Sequence, residues 1–240
     1  MRTRLFLILL ALAGTVHAAD TVGVSHQSDD QDAAKPMAWR YRLLETAQDV
    51  FEKRAAQQAP GAALSFRLPK VGPADAGNQV AIVLEDKRIP LPMNSPNTFA
   101  FVRDAEAQER DALVVANRYF RKGQENHPLV QVRSPGLPDG VKRIGDLRLA
   151  CAAQIEMAKA EGLKFRAVLA TVGLFGLNIC NKLEVTKIEA PSGPYDTVTI
   201  EDGARRLVQP AKQRDTPLLN DKEWSDNARI SYTLNERIVE

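Results

Sequence analysis

Hydrophobic positions along the chain recur with two different periods. From Pro36 onward, Trp39, Leu43, Ala47, Val50 and Phe51 fall on one face of a 3.6-residue repeat, while Arg40, Glu45, Asp49 and Glu52 fall elsewhere. This spacing predicts an amphipathic helix that opens at Pro36 and stops before Pro60-Gly61. Its polar face carries both signs of charge, which favours packing on a sheet over lying on a membrane surface. Beyond it the period drops to two. Leu64, Phe66 and Leu68 alternate with Ser65 and Arg67; Val80, Ile82 and Leu84 with Ala81 and Val83; Phe99 and Phe101 with Ala100; Leu113 and Val115 with Val114 and Ala116. Four strands are expected here, separated by Gly72-Pro73, Gly77-Asn78, a series of prolines at 90, 92 and 96, and Gly123.

The stretch from Arg133 to Cys180 stands apart because it holds both cysteines. It opens on two turn clusters, Ser134-Pro135-Gly136 and Pro138-Asp139-Gly140, in which proline presets φ and glycine permits positive φ. After them Leu147, Leu149 and Cys151 alternate as a strand would, whereas Leu147, Cys151, Ile155 and Ala158 sit at helical spacing. A short strand-like entry running into a helix through about Lys159 is the expectation, with Glu161-Gly162 as its stop. An apolar segment, Phe165 to Ile179, then leads to Cys180; its core from Ala167 is too short for a spanning helix, which needs roughly 20 residues, and it reads as buried core. Alternation returns at 184–188 and 197–200, then at 206–208 across Asp202-Gly203, read as a hairpin with a type I′ turn, and finally at Arg229 to Leu234; Trp224 reads as a packing residue.

The first residues change the charge picture. Arg2 and Arg4, an apolar run from Leu5 to Ala13 and small residues at Val16-His17-Ala18 have the layout of a secretory signal peptide over residues 1–18, with a disordered leader expected over 19–35. The chain has 32 Lys+Arg against 30 Asp+Glu; with Arg2 and Arg4 of the signal peptide removed the mature protein stands at 30 against 30. A neutral sum predicts no broad attraction to nucleic acid, and no integral membrane segment is expected after cleavage. Export to the periplasm, or secretion, gives the even cysteine count its meaning: Cys151 and Cys180 are expected to form a disulfide, closing a loop of about thirty residues for about 3–4 kcal/mol in the chain-entropy model.

Little catalytic chemistry is visible. The mature chain keeps only His26, in the leader, and His127, in a polar loop. No Gly-x-Ser-x-Gly, phosphate-cradling loop, HExxH or paired-cysteine metal pattern occurs, so no catalytic residue, cofactor or metal is assigned. An enzyme would depend on carboxylates, and Glu125, Asp139, Asp146, Asp196 and Asp202 lie near chain breaks. The candidate binding residues are Arg133, Lys142, Arg143 and Arg148, a basic group around the proline-rich turns that reads either as a solvated face with salt bridges or as a site for an acidic protein or an anionic envelope polymer.

The run RSPGLPDGVKRIGDLRLAC, together with LSFRLP and PLPMNSPNTFAF, resembles small exported proteobacterial proteins of no established activity, and this resemblance implies neither cofactor nor catalytic residue. The region from LSFRLP to FAFVRD is similar at the level of shape to transthyretin-type β-sandwich modules. The fold class expected is α+β, with antiparallel, sandwich-like sheets, an N-terminal helix and a central disulfide-bearing helical segment. Two lobes are expected: 36–125, a helix with an antiparallel sheet, and 126–240, stapled by the disulfide. The functional expectation is a soluble, non-catalytic periplasmic binding or envelope-associated accessory protein. Its alternatives are a carboxylate-dependent hydrolase of an envelope polymer and an inhibitor or chaperone of another exported protein.

Overall fold

The computed structural model describes residues 34–69, 77–95, 97–121, 126–162, 180, 197–210, 219 and 221–233. Among these, the chain runs β1 (Lys35–Arg40), α1 (Tyr41–Gln58), β2 (Ala63–Arg67), β3 (Val80–Val83), β4 (Arg88–Pro90), β5 (Met93–Ser95), β6 (Thr98–Phe99), α2 (Ala105–Glu109), β7 (Leu113–Phe120), β8 (Leu129–Arg133), β9 (Lys142–Arg143), α3 (Ile144–Ala160), β10 (Thr197–Asp202), β11 (Arg205–Pro210) and β12 (Arg229–Thr233). The described strands form three antiparallel sheets ordered β1-β7-β3-β4, β5-β6-β2-β8 and β11-β10-β12-β9, so the class is α+β as the periodicities predict. Residues 19–33 of the expected leader, the segment Phe165 to Ile179 and the strand at 184–188 lie outside the described residues, and the leader's last expected residue, Lys35, is the first of β1.

The first two sheets share one core in a sandwich-like arrangement. Val80, Ile82, Val114 and Ala116 from one meet Leu64, Phe66, Phe99, Val130 and Val132 from the other. Trp39 stacks on Phe99 and Phe99 on Phe66, so aromatic rings tie the inner faces together. Helix α1 adds Tyr41, Leu44 and Ala47 to this core, and α3 adds Leu149, Ala150, Ala153 and Met157. The other end of α3 belongs elsewhere: Ile144 and Leu147 pack with Val198, Ile200, Trp224, Ala228 and Ile230 of the third sheet and its loops. Trp224 is therefore a packing residue, as its sequence context suggests. Strand β8 pairs with β2 and α3 serves both cores, so hydrogen bonding and packing cross position 125, where a boundary between two lobes is expected from sequence.

Three local differences from the sequence reading have physical causes. Pro36 does not open the helix, because Lys35–Arg40 is a strand with Met37 and Trp39 turned inward. It lies at a sheet edge, where proline's missing N–H is harmless. Leu43 and Ala47 lie on the buried face of α1 as their spacing predicts, and only Trp39 falls in step with them by coincidence. The strand-like entry at Leu147–Cys151 is also absent, since α3 is helical from Ile144, and its neighbours bury nearly every side chain from Ile144 to Ala150, hiding the period. The hairpin after Asp202 is present, but Gly203 holds φ +60° while Ala204 does not share it, which is the II′ rather than the I′ pattern.

Cys151 and Cys180 are joined in a disulfide with Cα atoms 5.6 Å apart, and Cys151 is fully buried on α3. Among the described residues no helix is long and apolar enough to cross a membrane.

Candidate functional site

The basic stretch is shaped by its turns. Gly136 and Gly140 hold φ of +72° and +78°, a region L side chains rarely enter, which lets the chain double back twice between β8 and β9. Arg133, the last residue of β8, secures the loop: its Nη2 donates to the carbonyls of Leu137 at 2.8 Å and Pro138 at 3.2 Å. Asp139 lies 3.5 Å from the same guanidinium, but it is fully solvated and neutralises little of the charge.

The chain then enters β9, and extended backbone sends consecutive side chains to opposite sides. Arg143 turns inward, where only 11% of its side chain is exposed. There Nη2 donates to Asn227 Oδ1 at 2.8 Å and Nη1 to Ser134 Oγ at 3.2 Å. Ser134 Oγ in turn donates to Asp146 Oδ1 at 2.6 Å, and the Ser134 backbone N–H to Asp146 Oδ2 at 2.8 Å. Both oxygens of this buried carboxylate are thus occupied, with Arg143 3.8 Å away as counter-charge.

Lys142 turns the other way. Its half-buried ammonium makes no hydrogen bond or ion pair among the described residues, and burial lowers its pKa. The guanidiniums of Arg133 and then Arg67 push it down further, partly offset by Asp146. Arg67 comes from β2, where Leu64 and Phe66 face the core and Ser65 and Arg67 face away. The β2–β8 register sets Ala63 opposite Arg133, Ser65 opposite Gln131 and Arg67 opposite Leu129, so the two arginines share the outward face of the sheet from opposite ends. Arg67 was not among the residues singled out from sequence. The alternation Leu64-Ser65-Phe66-Arg67 placed it outward, but only the pairing of β2 with β8 puts it on the same face as Arg133, and β8 itself carries no clear periodic signal.

Arg148, one turn into α3, is spent internally, with 20% of its side chain exposed. It donates to the carbonyls of Leu219 (3.0 Å), Asp221 (2.8 Å) and Trp224 (3.0 Å) and to Asp226 Oδ1 (2.6 Å). The loop wrapped around it caps the helix: Ile144 and Gly145 donate their backbone N–H groups to Ala228 O and Asp226 O, satisfying donors that no side chain caps. Of the four candidate binding residues, Arg133 and Lys142 belong with Arg67, whereas Arg143 and Arg148 are committed to the interior.

The acids named from sequence do not gather into a pair among the described residues. Asp139 is solvated, Asp146 is held by Ser134, and Asp202 accepts from Ser225 N–H and Oγ–H at 2.7 Å each, bonds that lower its pKa. Glu125, Asp196 and His26 lie outside the described residues. His127 Nδ1 lies 2.8 Å from Glu161 Oε1. No group of three or more His, Cys, Asp or Glu side chains suited to a metal occurs among the described residues. What Lys142 can do is attract an anion: its ammonium is half-desolvated, has no hydrogen-bonded counter-ion among the described residues, and feels the positive charges of Arg133 and Arg67. No family model, curated protein or solved structure matches the chain.

Proposed function

We propose that the protein is an exported, non-catalytic accessory protein of the cell envelope that binds an anionic polymer through Lys142, Arg133 and Arg67. The observation that carries this reading is the Lys142 ammonium, half-buried, lowered in pKa by that burial and by the charges of Arg133 and Arg67, and without a hydrogen-bonded carboxylate among the described residues. Holding like charges together costs free energy that an anion removes on binding, so the arrangement favours occupancy by a negatively charged ligand. The disulfide supports residence in an oxidising compartment, the setting in which a leader of the kind read at residues 1–18 would deliver it. An overall charge of only +2 over 240 residues supports a local site over general polyelectrolyte adhesion.

The test is retention of the oxidised protein on immobilised polyphosphate at low salt. Wild type is expected to be retained and released as salt rises, because bound counter-ions return to the polymer. Lys142→Gln should elute at markedly lower salt, while Arg88→Gln, which alters an exposed cation on β4, should elute with wild type. Equal elution of wild type and Lys142→Gln would remove the site from the account.

A further inference from the structure

Asp-Gly occurs twice in the chain, at Asp139-Gly140 and Asp202-Gly203. This dipeptide can rearrange without an enzyme, because the glycine amide nitrogen can attack the neutral side-chain carboxyl and glycine has no Cβ to hinder the approach. The two sites are held differently. Asp139 and Gly140 are the central residues of the turn that Val141 N–H closes on the Pro138 carbonyl at 3.1 Å, where Gly140 holds φ +78°, the type II pattern. The Asp139 carboxylate stands fully in solvent and makes no hydrogen bond among the described residues; the Arg133 guanidinium lies 3.5 Å away. The Gly140 N–H makes none either among the described residues. Nucleophile and electrophile are neighbours at an exposed loop tip, with no hydrogen bond to break before they meet.

Asp202 is tied down. It ends β10 in register with Arg205 of β11, and its carboxylate accepts from the Ser225 N–H on Oδ2 and from the Ser225 hydroxyl on Oδ1, each at 2.7 Å. Swinging Cγ onto the Gly203 nitrogen would break both bonds. The same two donors, backbone first, stabilise the charged form and lower the Asp202 pKa, so less of it is in the neutral form that reacts.

We infer that Asp139-Gly140 is a self-modifying site, at which the folded protein converts aspartate to isoaspartate while its fold protects Asp202-Gly203. The Gly140 nitrogen bonds to Asp139 Cγ, and the carboxyl hydroxyl leaves as water with the amide proton. Water then opens the cyclic imide at the Asp139 main-chain carbonyl, so the overall change is an isomerisation that consumes and releases nothing. Its product carries an extra methylene in the main chain. That lengthens the turn, takes Val141 N–H out of reach of the Pro138 carbonyl and shifts the carbonyls of Leu137 and Pro138 that Arg133 holds, in the loop that joins β8 to β9.

Prolonged incubation of the oxidised full chain at mildly acidic pH, followed by proteolysis and peptide mapping with an isoaspartyl-specific methyltransferase, tests this. In the folded protein isoaspartate should accumulate at position 139 about tenfold faster than at 202, or more, because only the second site must first give up two hydrogen bonds to a charged group. In the chain reduced and unfolded in denaturant the two rates should agree within about threefold, since the fold no longer distinguishes them. Absence of isoaspartate at 139 in the folded protein overturns the inference. So does a ratio of the two rates that unfolding leaves unchanged, or faster reaction at 202.

Discussion

Arg143 and Arg148 on one side, and Lys142 with Arg133 and Arg67 on the other, are built from nearly the same stretch of chain and meet opposite fates. The first pair is answered bond for bond: Arg148 has three carbonyls and a carboxylate, and Arg143 has Asn227, Ser134 and the nearby Asp146. In the second group Lys142 has no such answer among the described residues, and the charges of Arg133 and Arg67 outweigh that of Asp146. A cluster of basic residues in sequence is therefore no measure of a basic surface. What sorts them is backbone direction, because one step along β9 separates a residue that binds the protein together from one available to something else.

The contrast can be tested from its inner half outward, beginning with the largest effect. Gly145 sits where a Cβ would lie 2.2 Å from the Gln58 carbonyl and 2.9 Å from Asp226, so the end of α1, the start of α3 and the capping loop meet at a point with no room for a side chain. Gly145→Ala should lower stability by about 3 kcal/mol or more in denaturant titration; a loss under about 1 kcal/mol would mean that this junction yields easily. Arg148→Ala strips three carbonyls and Asp226 of their donor and should cost about 2–4 kcal/mol. If it costs nothing, the inner cations are ornaments of the fold and the contrast collapses.

Asp146→Asn should cost about 1–3 kcal/mol, since the Ser134 bonds lose their charged acceptor and Arg143 its counter-charge. It also sharpens the comparison, because removing that negative charge should lower the Lys142 pKa further, which site-specific titration would read. Smallest is Lys142→Met. Since the folded pKa of Lys142 lies below that of a lysine in the unfolded chain, its charge opposes folding at any pH where both states are protonated. Stability then recovers as pH rises from the lowered value to the ordinary lysine range. The substitution should remove that segment of the pH dependence and leave neutral stability equal or slightly higher, by less than about 1 kcal/mol.

Much of the scaffold was legible in the residues, and the reasons are local. A strand such as Ala63–Arg67, buried on one face, shows its period directly, Val80–Val83 shows itself as a short apolar run, and the Gly203 turn marks its own hairpin. The Cys151–Cys180 pairing followed from an even count. Legibility fails where a contact is made by backbone. The carbonyls that hold Arg148 belong to Leu219, Asp221 and Trp224, whose side chains carry no sign of that role. It fails again for short strands such as Arg88–Pro90, Met93–Ser95 and Lys142–Arg143, which are too brief to express a period and exist because a neighbour supplies their hydrogen bonds. Two of the three binding residues, Arg133 and Lys142, were visible; Arg67 required the β2–β8 pairing, a long-range fact.

Site-resolved NMR titration of the lysine ammonium groups, with and without short-chain polyphosphate, addresses the Lys142 cluster most directly. Lys142 should titrate below the other lysines in the free protein and move up towards or past the ordinary lysine range when the anion is present, because a bound negative charge stabilises the protonated form. An ordinary titration in the free protein that polyphosphate leaves unmoved would contradict the account.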